Sequence, residues 1–439
     1  MIDRGENMKR VITYGTFDLF HKGHYNILKR AKALGDYLIV GVTGENYDAE
    51  RGKLSVQDSL ATRIENVKNT GFADEIIVEE YDGQKINDII KYKADVLVLG
   101  LDWKGKFDHL KKYCDVVYLE RTKDISSTQL RKENNFIYNY GIVTDNLLNN
   151  DFIFDAEYVS GIHIESVYSE DISIATELCD NLHIDRTFNN LNEFLKSVDI
   201  VYINANLEKR YEYIKAALLA YKHVVSDSPM SLDTKKVEEL YRLAKQNQLI
   251  LLDNVPMVYV RTFNQLLSIA RGSVIGNIIN VKCSLTLEEF STYYRRSYYE
   301  ALYYVICTFL KVLGDDFKAV YLKQFDSDMF LYKQVEVDYG KCFGEGEITK
   351  DLDKKSYLEI TGTKGKIVVP ENWWKAAYVE VSLYKENYIQ RYCTNFEGNG
   401  FRYLIQVMLQ MIKEKELESQ RLSSTDSTTI LHIMNKIIY

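Results

Sequence analysis

A strand that passes through a glycine-containing loop into a helix constrains the fold of this chain more than any other feature. The run 11–14 is β-branched and aromatic, as in a buried strand, and Gly15 follows it. After Gly23, apolar residues recur at helical spacing, at Ile27, Leu28, Ala31 and Leu34. A helix that begins in such a loop directs unpaired N–H groups at it, and the two glycines let an anion approach the backbone. The segment therefore predicts a polyphosphate site.

Two of the seven histidines of the chain, His21 and His24, fall in this loop. Three positions apart in the first helical turn, both imidazoles lie on the same side and can donate to a phosphate oxygen as negative charge builds during displacement at phosphorus. Such a pair also arises by chance, and a single histidine is usually an ordinary polar residue.

A second segment favours the phosphate role. Arg121 opens the run RTKDISST directly after the apolar strand 116–119. Its hydroxyl side chains stand beside a predicted helix start at Ser127, and arginine supplies a forked cation for phosphate oxygens. The alternative is an ordinary capped helix.

Apolar runs in the first third of the chain alternate between strand and helix, with strands predicted at 37–43, 75–79, 96–100 and 115–119. This alternation is typical of a parallel sheet with helices on its faces. Ligands of such sheets bind at the carboxyl ends of the strands, where both candidate phosphate segments fall.

Three motifs in residues 8–133 resemble the glycerol-3-phosphate cytidylyltransferase family in order and spacing: GTFDLFHKGH, GLDW followed by KGKFDHLKK, and RTKDISST. The resemblance implies a Rossmann-like α/β nucleotidyltransferase. In it, a polyol phosphate oxygen attacks the α-phosphorus of CTP, with Mg²⁺ carried by the triphosphate, and releases pyrophosphate and a CDP-polyol such as CDP-glycerol. A product of this class would serve cell-surface polysaccharide biosynthesis.

The resemblance also implies roles for individual residues. The catalytic set is His21, His24, Lys53 and Arg121, although the register around the lysine slips by one or two residues and a solvated loop lysine is the alternative. The nucleotide-binding set is Gly15, Thr16, Phe17, Asp18, Gly23, Asp102, Trp103, Thr122, Ile125, Ser126, Ser127 and Thr128. Arg63 matches the arginine expected to hold the phosphate of the acceptor.

Two departures from the family pattern bear on the substrate. Leu101 stands where an aspartate commonly precedes the Asp-Trp pair, and Asp82 replaces an aromatic residue before the following helix, with Tyr81 one position away. The acceptor pocket is therefore expected to differ from that for glycerol phosphate. Related HxGH and ISST motifs occur in adenylyltransferases, which leaves ATP as an alternative nucleotide.

The composition is that of a globular chain, with 439 residues, 46% hydrophobic residues and a net charge of −8. This charge argues against a general nucleic-acid or anionic-membrane surface. The six cysteines show no metal-ligand spacing and fit buried thiols in a reducing cytoplasm. No apolar run is long enough for a membrane span or a signal peptide, and residues 1–7 read as a short extension.

A second alternation begins near residue 136 and predicts another doubly wound sheet. Its strands are expected at 137–143, 161–168, 199–203, 223–226 and 249–252, and its long helices at 172–182, 208–220 and 234–246. The segments 221–246 and 360–374 and the closing STDSTTILHIMNKI resemble the Gfo/Idh/MocA oxidoreductase family. We therefore expect a cytidylyltransferase domain at 1–134, a Rossmann-like domain at 135–255 and an α/β domain with a mainly antiparallel sheet at 256–439.

The second half departs from that family where its chemistry would lie. The glycines of the dinucleotide fingerprint are absent from residues 144–149, where Thr144 and Asn146 would crowd a pyrophosphate and Asp145 would repel it. The lysine of the family's Glu-Lys-Pro triplet is also missing, because the sequence reads Asp227-Ser228-Pro229.

Glu300 and Tyr304 match the later acid and His/Tyr positions of the oxidoreductase family, or are packing residues of a tyrosine-rich helix. Two hypotheses follow. A working reductase would make the polyol phosphate from a ketose phosphate with NAD(P)H, whereas a degenerate oxidoreductase fold would serve assembly, stability or sugar binding. The two independent losses favour the degenerate fold. Both resembled families commonly form dimers or larger assemblies, which implies a homo-oligomer.

Overall fold

The computed structural model describes residues 8–50, 56–81, 83–120, 137–145, 151–182, 184–291, 298–327, 329–386, 389–393 and 398–438. They fall into two compact units, one within Met1–Ile137 plus Tyr158–Gly161 and the other made of Tyr138–Glu157 and Ile162–Tyr439. The predicted boundary between residues 134 and 135 lies outside the described residues, and a further division after residue 255 stays a prediction.

The first unit is built on a five-stranded parallel sheet in the order β3-β2-β1-β4-β5. Its strands are β1 (Arg10–Gly15), β2 (Tyr37–Thr43), β3 (Glu75–Glu79), β4 (Val96–Gly100) and β5 (Asp115–Leu119). Its helices are α1 (Lys22–Lys32), α2 (Glu45–Glu50), α3 (Leu60–Asn69) and α4 (Gln84–Tyr92), with 3₁₀ turns at Leu101–Trp103 and Asp108–Lys112. The four strands predicted after the histidine loop are confirmed at their predicted bounds. The strand order reverses next to β1, so the loop after β1 lies at the position where such sheets bind ligands.

Helix α1 forms for the reasons that its sequence suggested. Leu28 and Ala31 are fully buried in the core beneath the sheet, and Ile27 and Leu34 pack against the same cluster. Basic residues occupy the last turn, where they interact favourably with the negative end of the helix dipole. This burial fixes the direction of the helix and therefore the position of its first turn.

The second unit begins with a six-stranded parallel sheet in the order β11-β10-β9-β6-β7-β8. The strands are β6 (Tyr138–Thr144), β7 (Ile162–Tyr168), β8 (Arg186–Phe188), β9 (Ile200–Asn204), β10 (His223–Asp227) and β11 (Leu251–Asn254). The helices are α5 (Asp151–Glu157), α6 (Ile172–Leu182), α7 (Leu191–Ser197), α8 (Leu207–Leu219) and α9 (Thr234–Gln246). The predicted second doubly wound sheet is confirmed, and α6 and α9 have their predicted bounds.

Sequence patterning missed or misplaced four features of this part of the chain. The short strand β8 and the helices α5 and α7 were not predicted, because three and seven residues carry too little periodicity to stand out. Strand β11 was placed two residues too early, since Asp253 and Asn254 look like a polar turn. Both side chains are in fact buried and hydrogen-bonded at the end of the strand.

An eight-stranded mixed sheet completes the second unit, in the order β13-β14-β15-β12-β16-β17-β18-β19. Its strands are β12 (Ile278–Thr286), β13 (Ala319–Asp326), β14 (Leu331–Asp338), β15 (Phe343–Lys350), β16 (Tyr357–Gly362), β17 (Gly365–Pro370), β18 (Tyr378–Leu383) and β19 (Ile389–Cys393). The remaining helices are α10 (Arg261–Arg271), α11 (Leu287–Ser291), α12 (Tyr298–Leu313), α13 (Phe401–Glu414) and α14 (Ser424–Ile438). The predicted antiparallel character holds except for the parallel pair of β12 and β15.

Other sequence-based expectations about the chain meet mixed outcomes. Cys179, Cys283 and Cys307 are buried as expected, whereas Cys393 is exposed, so the thiols are not uniformly core residues. Within the described ranges, the helices are either too short or too polar to cross a bilayer. In the same ranges, histidine, cysteine and acidic side chains form no cluster suited to a metal ion.

Candidate active site

The loop between β1 and α1 is held in a strained shape at the carboxyl edge of the first sheet. Phe17 and Leu19 have φ angles of 55° and 46°, a left-handed conformation that costs a non-glycine residue about 1–3 kcal/mol. The Phe17 ring is buried against Gly15, where an added Cβ would lie 3.0 Å from two ring carbons. In this structure the absent side chain of Gly15 makes room for Phe17, whereas the sequence suggested that it makes room for a phosphate.

The two imidazoles of the loop stack on each other. Their ring centroids are 3.9 Å apart with an interplanar angle of 19°. His24 also contacts the rings of Phe17 and Phe20, each with a centroid distance of 5.5 Å. The stack places both rings together at the start of α1, where the N–H groups of the first turn point.

His21 is the N-cap of α1, one residue before the helical turn in which the sequence placed it. Its Nδ1 accepts a hydrogen bond from the backbone N–H of Gly23 at 3.0 Å. A ring nitrogen that accepts carries no proton, so the neutral ring has its proton on Nε2. His21 can therefore donate to a phosphate oxygen only through Nε2, while Nδ1 holds the helix end.

Arg63 is fully buried beneath the loop rather than exposed in a pocket. Its Nη1 donates to the backbone oxygens of Thr16 at 2.9 Å and Thr43 at 2.8 Å, and pairs with Asp48 at 3.2 Å. The Asp48 carboxylate also accepts from both threonine hydroxyls. Nη1 thus ties together the ends of β1 and β2, whereas the buried Nη2 has no hydrogen-bond partner among the described residues, so the role of Arg63 toward the acceptor's phosphate stays a prediction.

Asp18 also serves the protein's own backbone. It is buried, and its Oδ1 accepts hydrogen bonds from the N–H groups of Gln57 and Asp58, both at 2.9 Å. The sequence assigned Asp18 to the nucleotide. In the structure its carboxylate joins the histidine loop to the segment that precedes α3.

The motif GLDW occupies the carboxyl end of β4. Residues Leu101–Trp103 form a 3₁₀ turn, in which Leu101 is exposed and Trp103 packs against Phe107 with ring centroids 5.7 Å apart. The side chain of Asp102 lies outside the described part of the structure. The same holds for the predicted site residues Lys53, Arg121, Thr122, Ile125, Ser126, Ser127 and Thr128.

A buried charged cluster at this edge escaped the sequence analysis. Glu79 ends β3 and forms an ion pair with Lys85 of α4, whose ammonium lies 4.6 Å from the centroid of the Tyr14 ring. The Tyr14 hydroxyl donates to Asp88 at 3.0 Å, and Gln84 donates to the same carboxylate. Burial, with Asp88 beside it, raises the pKa of Tyr14 well above its usual range, so the phenol stays a donor. The signal was available, since Glu79 is an acidic residue at the carboxyl end of a buried strand.

In the second unit, the strand ends carry a polar network where the oxidoreductase family has its catalytic triplet. Asp227 accepts from Tyr202 at 2.9 Å, Asn204 at 2.6 Å and Asn254 at 2.7 Å. These residues stand at or near the ends of β9, β10 and β11. The carboxylate is therefore satisfied by neutral donors from three adjacent strands.

Ser228 joins a second network instead of facing a substrate. Its hydroxyl donates to Asp253 at 2.6 Å, and the same carboxylate accepts from Tyr241 and Ser427. Ser228 and Asp253 are both buried. A buried carboxylate that is fully supplied with hydroxyl donors is a structural arrangement.

Glu300 is neutralised by a cation from the same unit. It forms a buried ion pair with Arg210, whose guanidinium also donates to the backbone oxygen of Pro229 at 3.0 Å. Tyr304 is buried, and its ring packs edge-on against Phe290 at 4.9 Å. The structure thus brings Pro229 and Glu300 together, through an arginine that the sequence analysis did not single out.

The expected dinucleotide loop is described only in part. Thr144 is buried at the end of β6, and the neighbouring Asp145 accepts from the backbone N–H of Asn206 at 2.7 Å. Asn146 lies outside the described residues. Glu170, just after β7, is bound by Lys209 and Tyr213.

A phosphate-type loop with an imidazole pair, set at the strand-order reversal of a parallel sheet, defines a nucleotidyltransferase site. Residues 12–133 match the family model described as cytidylyltransferase-like. The chain is 51% identical to a glycerol-3-phosphate cytidylyltransferase of Bacillus spizizenii over 126 residues, which are 29% of this chain and 97% of that protein. It is 44% identical to the enzyme of the same name from Staphylococcus aureus, with 29% of this chain and 95% of that protein covered. The chain belongs to this cytidylyltransferase family, which confirms the resemblance.

A stretch of the second unit matches a second family model. Residues 147–254 fit the model described as oxidoreductase family, NAD-binding Rossmann fold, of Gfo/Idh/MocA type. A 3-ketoreductase from Actinomadura kijaniata aligns with a TM-score of 0.59 at 16% identity, over 68% of this chain and 96% of that one. A UDP-N-acetylglucosamine 3-dehydrogenase from Acidithiobacillus ferrooxidans aligns with a TM-score of 0.56 at 12% identity, over 69% and 97%. At these identities the likeness establishes the fold alone, which is the predicted one.

Proposed function

We propose that the first unit transfers a cytidylyl group from CTP to a polyol phosphate. An oxygen of the acceptor's phosphate attacks the α-phosphorus and forms a new P–O bond. The bond from the α-phosphorus to the oxygen that bridges it to the β-phosphate breaks, and pyrophosphate leaves with the electron pair. The stacked imidazoles of His21 and His24 carry this proposal, because two ring donors at a helix N-terminus suit charge that develops on phosphate oxygens.

The chain's own residues would supply position and charge, with no covalent intermediate. His21 would donate from Nε2, since Nδ1 is committed to the Gly23 N–H. Mg²⁺, if it takes part, would be carried by the triphosphate, because Asp18 is already engaged by backbone donors. Lys53 and the residues of the RTKDISST segment are proposed to complete the nucleotide site.

Acceptors related to glycerol phosphate are favoured by the relatives, which are named for glycerol 3-phosphate. Arg63 remains the residue proposed to hold the acceptor's phosphate, because its buried Nη2 has no hydrogen-bond partner among the described residues. The product, a CDP-polyol, would be made in the cytoplasm for a cell-surface polymer.

Pyrophosphate release tests this assignment. The full chain is incubated with Mg²⁺, one nucleoside triphosphate at a time, and glycerol phosphate, ribitol phosphate or another polyol phosphate. We expect release with CTP and one of these acceptors, and none without an acceptor. Turnover with ATP but not with CTP would show that the enzyme is an adenylyltransferase. No turnover with any combination would refute the proposal.

For the second unit we propose a fold that has lost hydride transfer. Ser228 replaces the family's lysine and is bound to Asp253, so no ammonium is available there to move a proton. Glu300, at the position of the later acid, is held by Arg210. Both groups are committed to internal contacts, which supports a role in assembly, in stability or in binding a sugar-like ligand.

The residues present also fit NAD(P) poorly. Asp145 would repel a pyrophosphate, and its carboxylate already accepts the N–H of Asn206 at the start of α8. Glu170 forms a surface ion pair with Lys209 and accepts a hydrogen bond from the Tyr213 hydroxyl.

Titration with NADH and NADPH separates the two hypotheses for this unit. We expect no saturable quenching of protein fluorescence and no oxidation of the cofactor by ketose phosphates. Saturable binding with ketose-phosphate-dependent oxidation would establish the bifunctional reductase instead. Sedimentation of the full chain tests the homo-oligomer that both families suggest.

A further inference from the structure

A pair of aspartates ties the histidine loop to the segment before α3, and only one of them was noticed in the sequence. Asp18 accepts the backbone N–H of Asp58 at 2.9 Å, and the Asp58 carboxylate in turn accepts the backbone N–H of Leu19 at 3.0 Å. Each aspartate therefore binds the backbone of the other's segment. Asp58 is half-buried.

The bond from Asp58 acts on the most strained part of the loop. Leu19 holds a φ of 46°, and Phe17, two residues earlier, holds one of 55°. A leucine leaves this conformation unless its surroundings hold it there. The carboxylate of Asp58 supplies a charged acceptor for the N–H of Leu19, and such bonds are stronger than neutral ones.

The same region is tied a second time through α3. Arg63 donates from Nε to the backbone oxygen of Asp58 at 3.1 Å and from Nη1 to the backbone oxygen of Thr16 at 2.9 Å. Asp58 thus links α3, through its carbonyl, to the loop, through its carboxylate. His21 follows Leu19 by two residues, so the position of its ring depends on this link.

We infer that Asp58 is a positioning residue for nucleotidyl transfer. It holds Leu19 in the left-handed conformation and thereby sets the imidazoles against the reacting phosphate. This inference rests on the proposed transfer reaction, but its structural part applies to the protein without substrate.

The test compares two substitutions at one site in the full chain. Asp58→Asn keeps an oxygen that can accept from Leu19, whereas Asp58→Ala removes it. We expect Asp58→Ala to lower kcat on the order of 10- to 100-fold, as for a catalytic group displaced by about 1 Å. Asp58→Asn should recover most of that loss. Asp36→Ala is the matched control, because Asp36 makes the same kind of bond to the Lys9 N–H, before β2 and away from the loop.

A second-site change separates positioning from general stability. Glycine adopts positive φ at no steric cost, so Leu19→Gly in the Asp58→Ala background should restore part of kcat. Thermal unfolding of the same variants is measured in parallel, and kcat is compared only at temperatures well below each transition, so that a general loss of stability does not enter the comparison. Equal kcat in Asp58→Ala and the wild type, or no recovery in the double variant, would overturn the inference.

Hydrogen exchange supplies a readout that needs no substrate. In the unliganded chain, the Leu19 amide should exchange on the order of tenfold faster in Asp58→Ala, because a bond to a charged acceptor is lost. An unchanged exchange rate refutes the positioning role even if no acceptor has been found. If the wild type shows no turnover but the variant exchanges faster, the proposed transfer reaction is contradicted. The structural role of Asp58 in holding Leu19 is then still supported.

Discussion

His21 performs two tasks that substitution can separate, since its two ring nitrogens face different partners. Nδ1 accepts the Gly23 N–H at 3.0 Å and caps α1, and Nε2 carries the proton proposed to reach the phosphate. His21→Ala removes both tasks. His21→Asn keeps a side-chain acceptor at the N-cap, where asparagine is among the preferred residues, and removes only the imidazole.

The magnitudes of the two effects differ. Loss of an N-cap acceptor costs about 0.5–2 kcal/mol, which corresponds to about 2- to 30-fold faster exchange of the first amides of α1. Loss of one donor to a developing phosphate charge costs about 10²–10³ in kcat. We therefore expect both variants to lose at least about 100-fold in kcat, while only His21→Ala loses protection at the start of the helix.

Two measurements on the same samples check this prediction. Pyrophosphate release under saturating CTP and acceptor gives kcat, and hydrogen exchange with mass spectrometry gives the protection of residues 22–26. His24→Ala serves as a comparison, because His24 lies within α1 and does not cap it. A His21→Asn enzyme with near-normal kcat would refute the role of the imidazole, and unchanged protection in His21→Ala would refute the cap.

Three further outcomes are expected from single changes. Glu300→Gln should lower the free energy of unfolding of the second unit by about 3–5 kcal/mol, because the buried guanidinium of Arg210 loses its counter-charge. Denaturant unfolding, monitored by hydrogen exchange of the α12 amides, measures this loss. Gly41→Ala should lower the free energy of unfolding of the first unit by about 1–3 kcal/mol, because the new Cβ would lie 2.3 Å from a carbon of the Tyr14 ring. An unchanged melting temperature would contradict this prediction. Burial lowers the pKa of His223, so the unfolded state binds a proton first and stability should fall as the pH drops below about 6.5. His223→Asn keeps the acceptor for a backbone N–H and should flatten that pH dependence; a variant as pH-sensitive as the wild type would exclude His223 as its source.

The histidine loop shows where sequence reasoning succeeded and where it stopped. The strand before it and the apolar stripe of α1 are local patterns, and both predicted the placement of His21 and His24 at one helix end. The partners of Arg63 and Asp18 come from residues distant in sequence, so no local pattern shows which backbone groups these side chains bind. Their expected roles were carried over from the family, and their contacts emerged only from packing.

The second half repeats this lesson. The missing glycines and the missing lysine can each be seen at single positions of the sequence, and they are the reason that NAD(P) binding was not expected. The ion pair of Arg210 with Glu300 joins residues 90 positions apart. Neither residue is unusual by itself, so their pairing could not be foreseen.

The amino-acid sequence alone determined the two α/β halves, the positions along the chain of most strands in the two parallel sheets, and the loop in which the phosphate chemistry is proposed. These features depend on periodicity and on glycines near each other in the chain, which act before any distant contact forms. Tertiary structure decided which charged groups are engaged inside the protein and which nitrogen of His21 can donate. Hydrogen bonds and ion pairs depend on distances of a few ångströms between segments far apart in the chain, and only the folded molecule sets those distances.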